Sequence, residues 1–355
     1  MYQLGQHLRE HYGSRLFNNT YVPNKVVALT GDRYNRTIAS AITVMAGMFP
    51  PENPWSTELL WRPVPVRTDL DIDNADLLTL LSQWPDDQGK CPRLAWIKTT
   101  DIYKQEMAMK QDLMQYISTN GNIRVNSLID LCAAVDNFKA RAIHINEHPL
   151  PPWMNMTFFA LLQRAQIPNT LRKLYDFEQL TKLSGGMMLK KISTVMQNII
   201  AGRTDHQFIA YSGHDQTLIS IEKALQINAF PSNQDIGYGG YLAFELYKSQ
   251  NGTYFVQLMA YDGSRNRTLI EANKCASPCE FQSFLQSIEA TFPLSWNAEC
   301  GLADPAAEIS LLQILVGVMT VILIFVSEAL LITCCLLHNR QWQFVHRRKG
   351  YVEIN

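Results

Sequence analysis

The stretch Phe208-Ile209-Ala210-Tyr211-Ser212-Gly213-His214-Asp215-Gln216-Thr217-Leu218 decides the fold. Its apolar, aromatic-rich first half predicts a strand, Gly213 breaks it, and His214-Asp215 opens an amphipathic stretch that predicts a helix. A strand-to-helix switch places ligand-binding groups at the carboxyl edge of an α/β sheet. The helix N-terminus there favours a phosphate through its free N–H groups and dipole. On this reading His214 is the electrophile or charge clamp that binds substrate, and Asp215 is the acid that protonates a leaving alcohol. The same residues also have a plain structural reading. Asp is among the best N-cap residues, and a histidine beside a glycine is often only a loop residue.

Outward from this segment, Lys25 to Leu29, Tyr241 to Tyr247 and Tyr254 to Tyr261 read as further strands, with Asn251-Gly252 as a hairpin signal between the last two. Between Trp84 and Gly185 the pattern turns helical, notably over Asp101 to Thr119 and Pro168 to Leu183, with Pro149-Leu150-Pro151-Pro152 as a breaker. The class is therefore α/β, with a mixed sheet flanked by helices and a helical insert.

Composition sets limits on function. A 355-residue chain that is 47% hydrophobic, with a net charge of −1, can bury a sizeable core and carries no nucleic-acid signature. It has no Walker loop, no Gly-x-Ser-x-Gly elbow and no Cys/His cluster at zinc spacing. His144 and His148 have helical i, i+4 spacing but sit in a Pro-flanked segment without an acidic third ligand, so neither a metal nor a cofactor is expected.

Ile309 to Leu337 exceeds the ~20 residues that a bilayer crossing needs and predicts a transmembrane helix. Glu328 is its one charge, at an insertion cost of ~3 kcal/mol, which protonation or snorkelling relieves. Asp304 and Glu308 precede the span and Arg340, Arg347, Arg348 and Lys349 follow it. The positive-inside rule thus puts residues 338–355 in the cytoplasm and residues 1–305 in a lumen, a single-pass type I topology, with a short linker around Pro305. Cys334 and Cys335 are candidates for palmitoylation or plain apolar lining. Met1-Tyr2-Gln3-Leu4-Gly5 leads into an amphipathic helix rather than a signal peptide.

Several separated segments then resemble one family in order along the chain. They are Tyr2-Gln3-Leu4-Gly5-Gln6-His7-Leu8-Arg9, Asn35-Arg36-Thr37-Ile38-Ala39-Ser40-Ala41 with Met48-Phe49-Pro50-Pro51, Leu59-Leu60-Trp61-Arg62-Pro63-Val64-Pro65-Val66, Lys90-Cys91-Pro92-Arg93, Leu150-Pro151-Pro152-Trp153, Gly185-Gly186, the segment around His214, and Phe244-Glu245-Leu246-Tyr247. Together they resemble the histidine acid phosphatases of the lysosomal and prostatic type. The resemblance implies a phosphoglycerate-mutase-like, histidine-phosphatase sandwich with a helical cap over about residues 85–185. It also implies phosphomonoester substrates, no cofactor, a homodimer and a lysosomal or endosomal membrane. The family's nucleophile lies in an Arg-His-Gly-x-Arg-x-Pro motif on a first strand, and no such motif occurs in these residues. The sequence is accordingly expected to be N-terminally incomplete and weak or inactive as it stands, with a non-catalytic, membrane-anchored phosphate-ligand-binding protein as the alternative. Thr30 falls where the family has a third arginine, Arg33 reads as a solvated loop charge, and Arg36 as a structural ion pair at a helix start.

The resemblance also implies a Cys91–Cys300 bridge, and Cys275 and Cys279 lie close enough to pair, which together imply an oxidising compartment. The family's remaining bridge is lost at Ala142 and near Tyr241, leaving Cys132 as a buried thiol. Five sequons occur, and because Asn35 falls near the expected active-site rim the glycans are assigned to Asn18, Asn155, Asn251 and Asn266. The tail ending Gly350-Tyr351-Val352-Glu353-Ile354-Asn355 resembles lysosomal sorting signals, with Tyr351 and Ile354 as the residues a sorting adaptor reads.

Overall fold

Along Val26–Thr30 (β1) burial alternates, with Val26, Ala28 and Thr30 facing in, as expected of a strand packed on a core. It is the centre of a parallel sheet in which Val66–Thr68 (β2) lies on one side and Phe208–Ser212 (β3) on the other. The computed structural model of the chain describes residues 1–31, 34–51, 56–69, 91–232, 234–264, 267–272, 275–302 and 305–349. The chain divides into two units, Met1–Gly301 and Leu302–Asn355.

The chain opens with Tyr2–Leu8 (α1), a π-type turn over Arg9–Gly13, and Ser14–Phe17 (α2). After β1 comes Asn35–Met48 (α3), which turns Thr37, Ala41, Val44, Met45 and Met48 inward at three- and four-residue spacing. Pro50 then rules out an α conformation at Phe49, which ends the helix with φ −127°. Met45, Met48 and Phe49 are fully buried beside β1, each contributing roughly 1.5–3 kcal/mol of apolar burial. Helices α1 and α3 cross closely through Gly5 and Gly47. A Cβ on Gly5 would lie 2.1 Å from the Val44 carbonyl oxygen, so only glycine fits there.

The cap is built from Asp101–Met109 (α4), Gln111–Gly121 (α5), Leu128–Ile143 (α6), Met156–Ala165 (α7), Ile167–Leu174 (α8) and Glu178–Thr181 (α9), around a core that includes Leu113, Ile117, Leu131, Phe158 and Leu174. Thr100, Ser127 and Asn155 cap three of these helices by accepting from backbone N–H groups of the first turn. The single helix expected from Asp101 to Thr119 is two, broken at Lys110 (φ −111°), whose ammonium turns inward to bond Glu106 at 2.6 Å. The helix expected over Pro168 to Leu183 ends at Leu174. Tyr175 is buried in the turn that follows, and its carbonyl accepts from the Thr181 hydroxyl before a π-type turn over Lys182–Gly186.

Met187–Ile200 (α10) leads into β3, and Asp215–Leu225 (α11) leaves it. Tyr241–Lys248 (β4), Tyr254–Tyr261 (β5), Arg267–Ile270 (β6) and Cys279–Glu280 (β7) form an antiparallel sheet. The β4–β5 hairpin closes as its sequence predicts, with Gly252 at φ +89° and the Ser249 N–H donating to the Thr253 carbonyl at 2.9 Å. The parallel and antiparallel strands expected in one mixed sheet are thus laid out as two sheets among the described residues. Yet Tyr211 shares one apolar cluster with Leu242, Phe244 and Leu246, and Phe208 shares another with Tyr241. Phe281–Ile288 (α12) and Trp296–Cys300 (α13) complete the first unit.

In the second unit one helix runs from Pro305 to Lys349 (α14), longer at both ends than the span expected from hydropathy. Pro305 starts this helix instead of forming a linker, because the first helical position needs no N–H donor. Within it Gln313–His338 is long and apolar enough to cross a membrane, with a mean hydropathy of 2.6.

Candidate active site

Strands β1 and β3 run parallel in register, Thr30 opposite Ser212, so the helices that follow them start side by side at one sheet edge. Two bonds fix this junction. The Thr30 hydroxyl donates to the Ser212 carbonyl at 3.2 Å, and the Ser212 hydroxyl donates to the Thr37 carbonyl in the first turn of α3 at 3.0 Å. Thr30 is fully buried and supplies no charge.

His214 is the N-cap of α11, its backbone N–H donating to the Thr217 hydroxyl at 3.3 Å, and Asp215 is the first helical residue. The cap role that the plain reading gave to Asp therefore belongs to His214. Asp215 instead lies in the first turn, where the dipole favours a negative charge, and its Oδ1 accepts from the Gln216 N–H at 2.9 Å. Both residues are half-buried. Helix α11 is held from behind by Glu222, which pairs with Arg172 of α8 and accepts from the N–H groups of Ala229 and Phe230 at 2.8 and 3.1 Å. Gly185 permits a second close approach. A Cβ there would stand 2.0 Å from the Ser220 carbonyl oxygen of α11.

The sequence reading missed the aromatic surroundings of this pair. Tyr34, the N-cap of α3, meets the His214 ring edge to face, centroids 4.9 Å apart at 87°. Arg36 lies over Tyr34, its guanidinium carbon 4.3 Å from the ring centroid. That corrects the ion pair expected of Arg36. Among the described residues no carboxylate pairs with it, because it is turned onto an aromatic face that attracts a cation. Tyr238, 67% exposed, feels the charge of Asp215. Its phenol is pushed up by partial burial and then by the charges of Asp136, Asp215 and Asp235, with Arg36 opposing. Lys139 pairs with Asp235. The buried Cys132 thiol is pushed up to about 12, by burial first and the charge of Asp215 second. A single aromatic residue in a loop has no periodicity, so Tyr34 and Tyr238 left no signal in the sequence.

Cys91–Cys300 and Cys275–Cys279 are bridged. Asn18, Asn35, Asn155 and Asn251 are exposed, Asn18 in a left-handed turn and Asn251 in the hairpin. Arg33, Asn266, Tyr351 and Ile354 lie outside the described residues. His144 and His148 are both exposed, and His144 lies 3.4 Å from Glu147. Among the described residues no three His, Cys, Asp or Glu side chains gather as a metal site would need.

A family model described as the histidine phosphatase superfamily (branch 2) matches residues 1–260. The chain is 28% identical to a putative acid phosphatase 5 of Caenorhabditis elegans, the match covering 85% of this chain and 69% of that protein. It is 28% identical to lysosomal acid phosphatase of Rattus norvegicus, over 86% of this chain and 71% of that one. With prostatic acid phosphatase of the same species the identity is 26%, over 84% and 77%. Among solved structures, the apo phytase of Hafnia alvei superposes with a TM-score of 0.53 at 14% identity, covering 84% of this chain and 86% of that one, a likeness of fold.

Proposed function

The chain belongs to the histidine phosphatase superfamily, branch 2, and from that premise we propose that its first unit is an acid-phosphatase domain that binds phosphomonoesters and, in these 355 residues alone, turns them over weakly or not at all. One observation carries the reading: His214 and Asp215 stand together where β3 passes into α11, beside the start of α3. There the imidazolium clamps a phosphate oxygen and the carboxylic acid delivers a proton to the leaving alcohol.

The nucleophilic half is what these residues lack. No Arg-His-Gly-x-Arg-x-Pro motif occurs in the sequence, and the neutral, buried Thr30 occupies the end of β1. A phosphate dianion in a poorly solvated pocket needs guanidinium partners to offset its desolvation. A phosphoenzyme divides one hard displacement into two easier ones. Removing members of such a unit costs several powers of ten in rate. The chain as given therefore retains binding and proton donation without an acceptor for the phosphoryl group.

The apolar helix Gln313–His338 serves in this reading as a single-pass anchor, with the first unit lumenal and the basic tail cytoplasmic. The names of the lysosomal relatives support a lysosomal or endosomal membrane. Glycans on the exposed Asn18, Asn155 and Asn251, a homodimer, and adaptor capture of Tyr351 and Ile354 belong to the same proposal.

The test uses the full chain in detergent micelles with p-nitrophenyl phosphate at pH 5, beside His214→Ala and Asp215→Ala. We expect no turnover above the variants, and phosphate affinity that falls at least about ten-fold on loss of His214. Turnover that vanishes in both variants refutes the claim of inactivity. Phosphate binding indifferent to His214 refutes the site.

A further inference from the structure

We infer that the apolar helix Gln313–His338 packs against the same helix of a second copy of this chain, through one face of small and polar residues centred on Glu328. The inference rests on the proposed single-pass anchor and gives the proposed homodimer a contact within the bilayer.

The face follows from spacing. Gly317, Thr320, Ile324, Ser327, Leu331 and Cys334 succeed one another at alternating steps of three and four residues, the steps that keep a seam on one side of a paired helix. Helix α14 runs without interruption through all of them, so the sequence pattern stays on one side. Glu328 flanks the seam, and of the polar residues inside the span only Thr333 lies off this side. Val318, Ile322, Phe325 and Leu336 occupy the opposite side. Lipid tails gain nothing from small or polar groups, whereas a second helix approaches closely over small residues and hydrogen-bonds to polar ones. The Thr320 and Ser327 hydroxyls donate to the Val316 and Ile324 carbonyls at 2.8 and 2.7 Å, and their oxygens keep lone pairs for a donor across the seam.

Glu328 identifies the occupant. At about 1.5 Å per residue it lies about 4 Å from the midpoint of Gln313–His338, roughly 11 Å inside the nearer boundary of a ~30 Å apolar layer. A stem of two methylenes does not cover that distance, so the snorkelling expected from the sequence does not reach water. Its neighbours three and four positions away, Ile324, Phe325, Leu331 and Ile332, are all apolar, so its own helix supplies no partner side chain. A carboxyl at such a depth turns inward and pairs. A second copy has the same topology, so its helix runs parallel and brings an identical carboxyl to the same depth. There the O–H of one carboxyl donates to an oxygen of the other, and the Ser327 oxygens beside them accept further bonds. The pairing is self-complementary and needs no basic residue from another protein.

The experiment is oxidative cross-linking of the full chain in phosphatidylcholine vesicles, with Cys334→Ala and Cys335→Ala as the background. Single cysteines are placed on the seam, by Ile324→Cys or Leu331→Cys, and on the opposite side, by Ile322→Cys or Leu336→Cys. Alkaline extraction first verifies membrane insertion, and non-reducing gels across a lipid-dilution series read the dimer. We expect covalent dimers from the seam cysteines and few from the opposite ones. Adding Glu328→Leu should weaken pairing about three- to thirty-fold, the worth of an interhelical polar contact, and Glu328→Gln, which keeps a donor and an acceptor, should restore it. Equal cross-linking on the two sides is the result of lumenal domains dimerising alone and overturns the inference, as does cross-linking on neither. Seam-specific cross-linking indifferent to Glu328→Leu overturns the role given to Glu328. Extraction of the unaltered chain from the vesicles overturns the anchor itself, and the inference with it.

Discussion

At the scale of single residues, the His214-Asp215 pair is legible because it breaks two patterns at once, ending a period-two run and starting a helical one. What the pair touches is not legible. Tyr34 is 180 positions away in sequence, and only the parallel pairing of β1 with β3 brings its ring to His214. Cys132 teaches the same lesson. The sequence marks it as the thiol left over from bridge counting, and the fold buries it where the charge of Asp215 acts on it. A thiol raised to about 12 carries almost no thiolate at neutral pH, and the thiolate is the reactive form. Iodoacetamide at pH 8 should therefore leave Cys132 unmodified in the native chain and label it fully in denaturant, by mass spectrometry of the tryptic peptide. Rapid native labelling would mean that the cap opens readily over the site.

At the scale of elements, local pattern located β3, the start of α11 and the β4–β5 hairpin, but it misjudged the cap helices where a polar residue turns inward. Lys110 and Glu106 occupy positions four apart on what reads as one amphipathic helix, and both are buried. Lys173 of α8 joins them at 2.6 Å and Thr170 at 2.8 Å. Burial alone would raise the Glu106 carboxyl, but bonds from Lys110, Lys173 and Thr170 outweigh it and bring the group to about 2. The folded value lies below the unfolded one, so the stabilisation is present above about pH 4.5 and is lost as pH falls toward 2. The cap should thus hold its packing at pH 5. Glu106→Gln leaves Lys110 buried without a counter-charge, and by the behaviour of broken buried pairs it should cost about 3–5 kcal/mol at pH 7. Urea unfolding of both chains at pH 7 and pH 3 checks this. The difference should shrink markedly at the lower pH, and a constant difference would place the stabilisation elsewhere than in ionised Glu106.

At the scale of the whole molecule, Cys91 and Cys300 tie the entry to the cap to the last helix of the first unit across 209 residues. Closing so long a loop removes unfolded-state entropy worth about 5 kcal/mol in the chain-entropy picture, though measured values centre on roughly 2–4 kcal/mol. Replacing both cysteines with alanine should lower the thermal midpoint of the first unit by several degrees, read by near-ultraviolet circular dichroism on the full chain in detergent, while Cys275→Ala with Cys279→Ala, whose loop is four residues, should lower it less. Equal shifts would argue against loop length as the cause. Composition and local pattern sufficed for the α/β class, the apolar C-terminal helix, the His-Asp pair and the hairpin, because each is written in residues adjacent in the chain or repeated at a fixed period. The separation of parallel from antiparallel strands, the break at Lys110, and the meeting of Tyr34 with both His214 and Arg36 were decided only by the tertiary structure. Those features depend on contacts between residues far apart in sequence, whose strength is set by burial and geometry that no local pattern encodes.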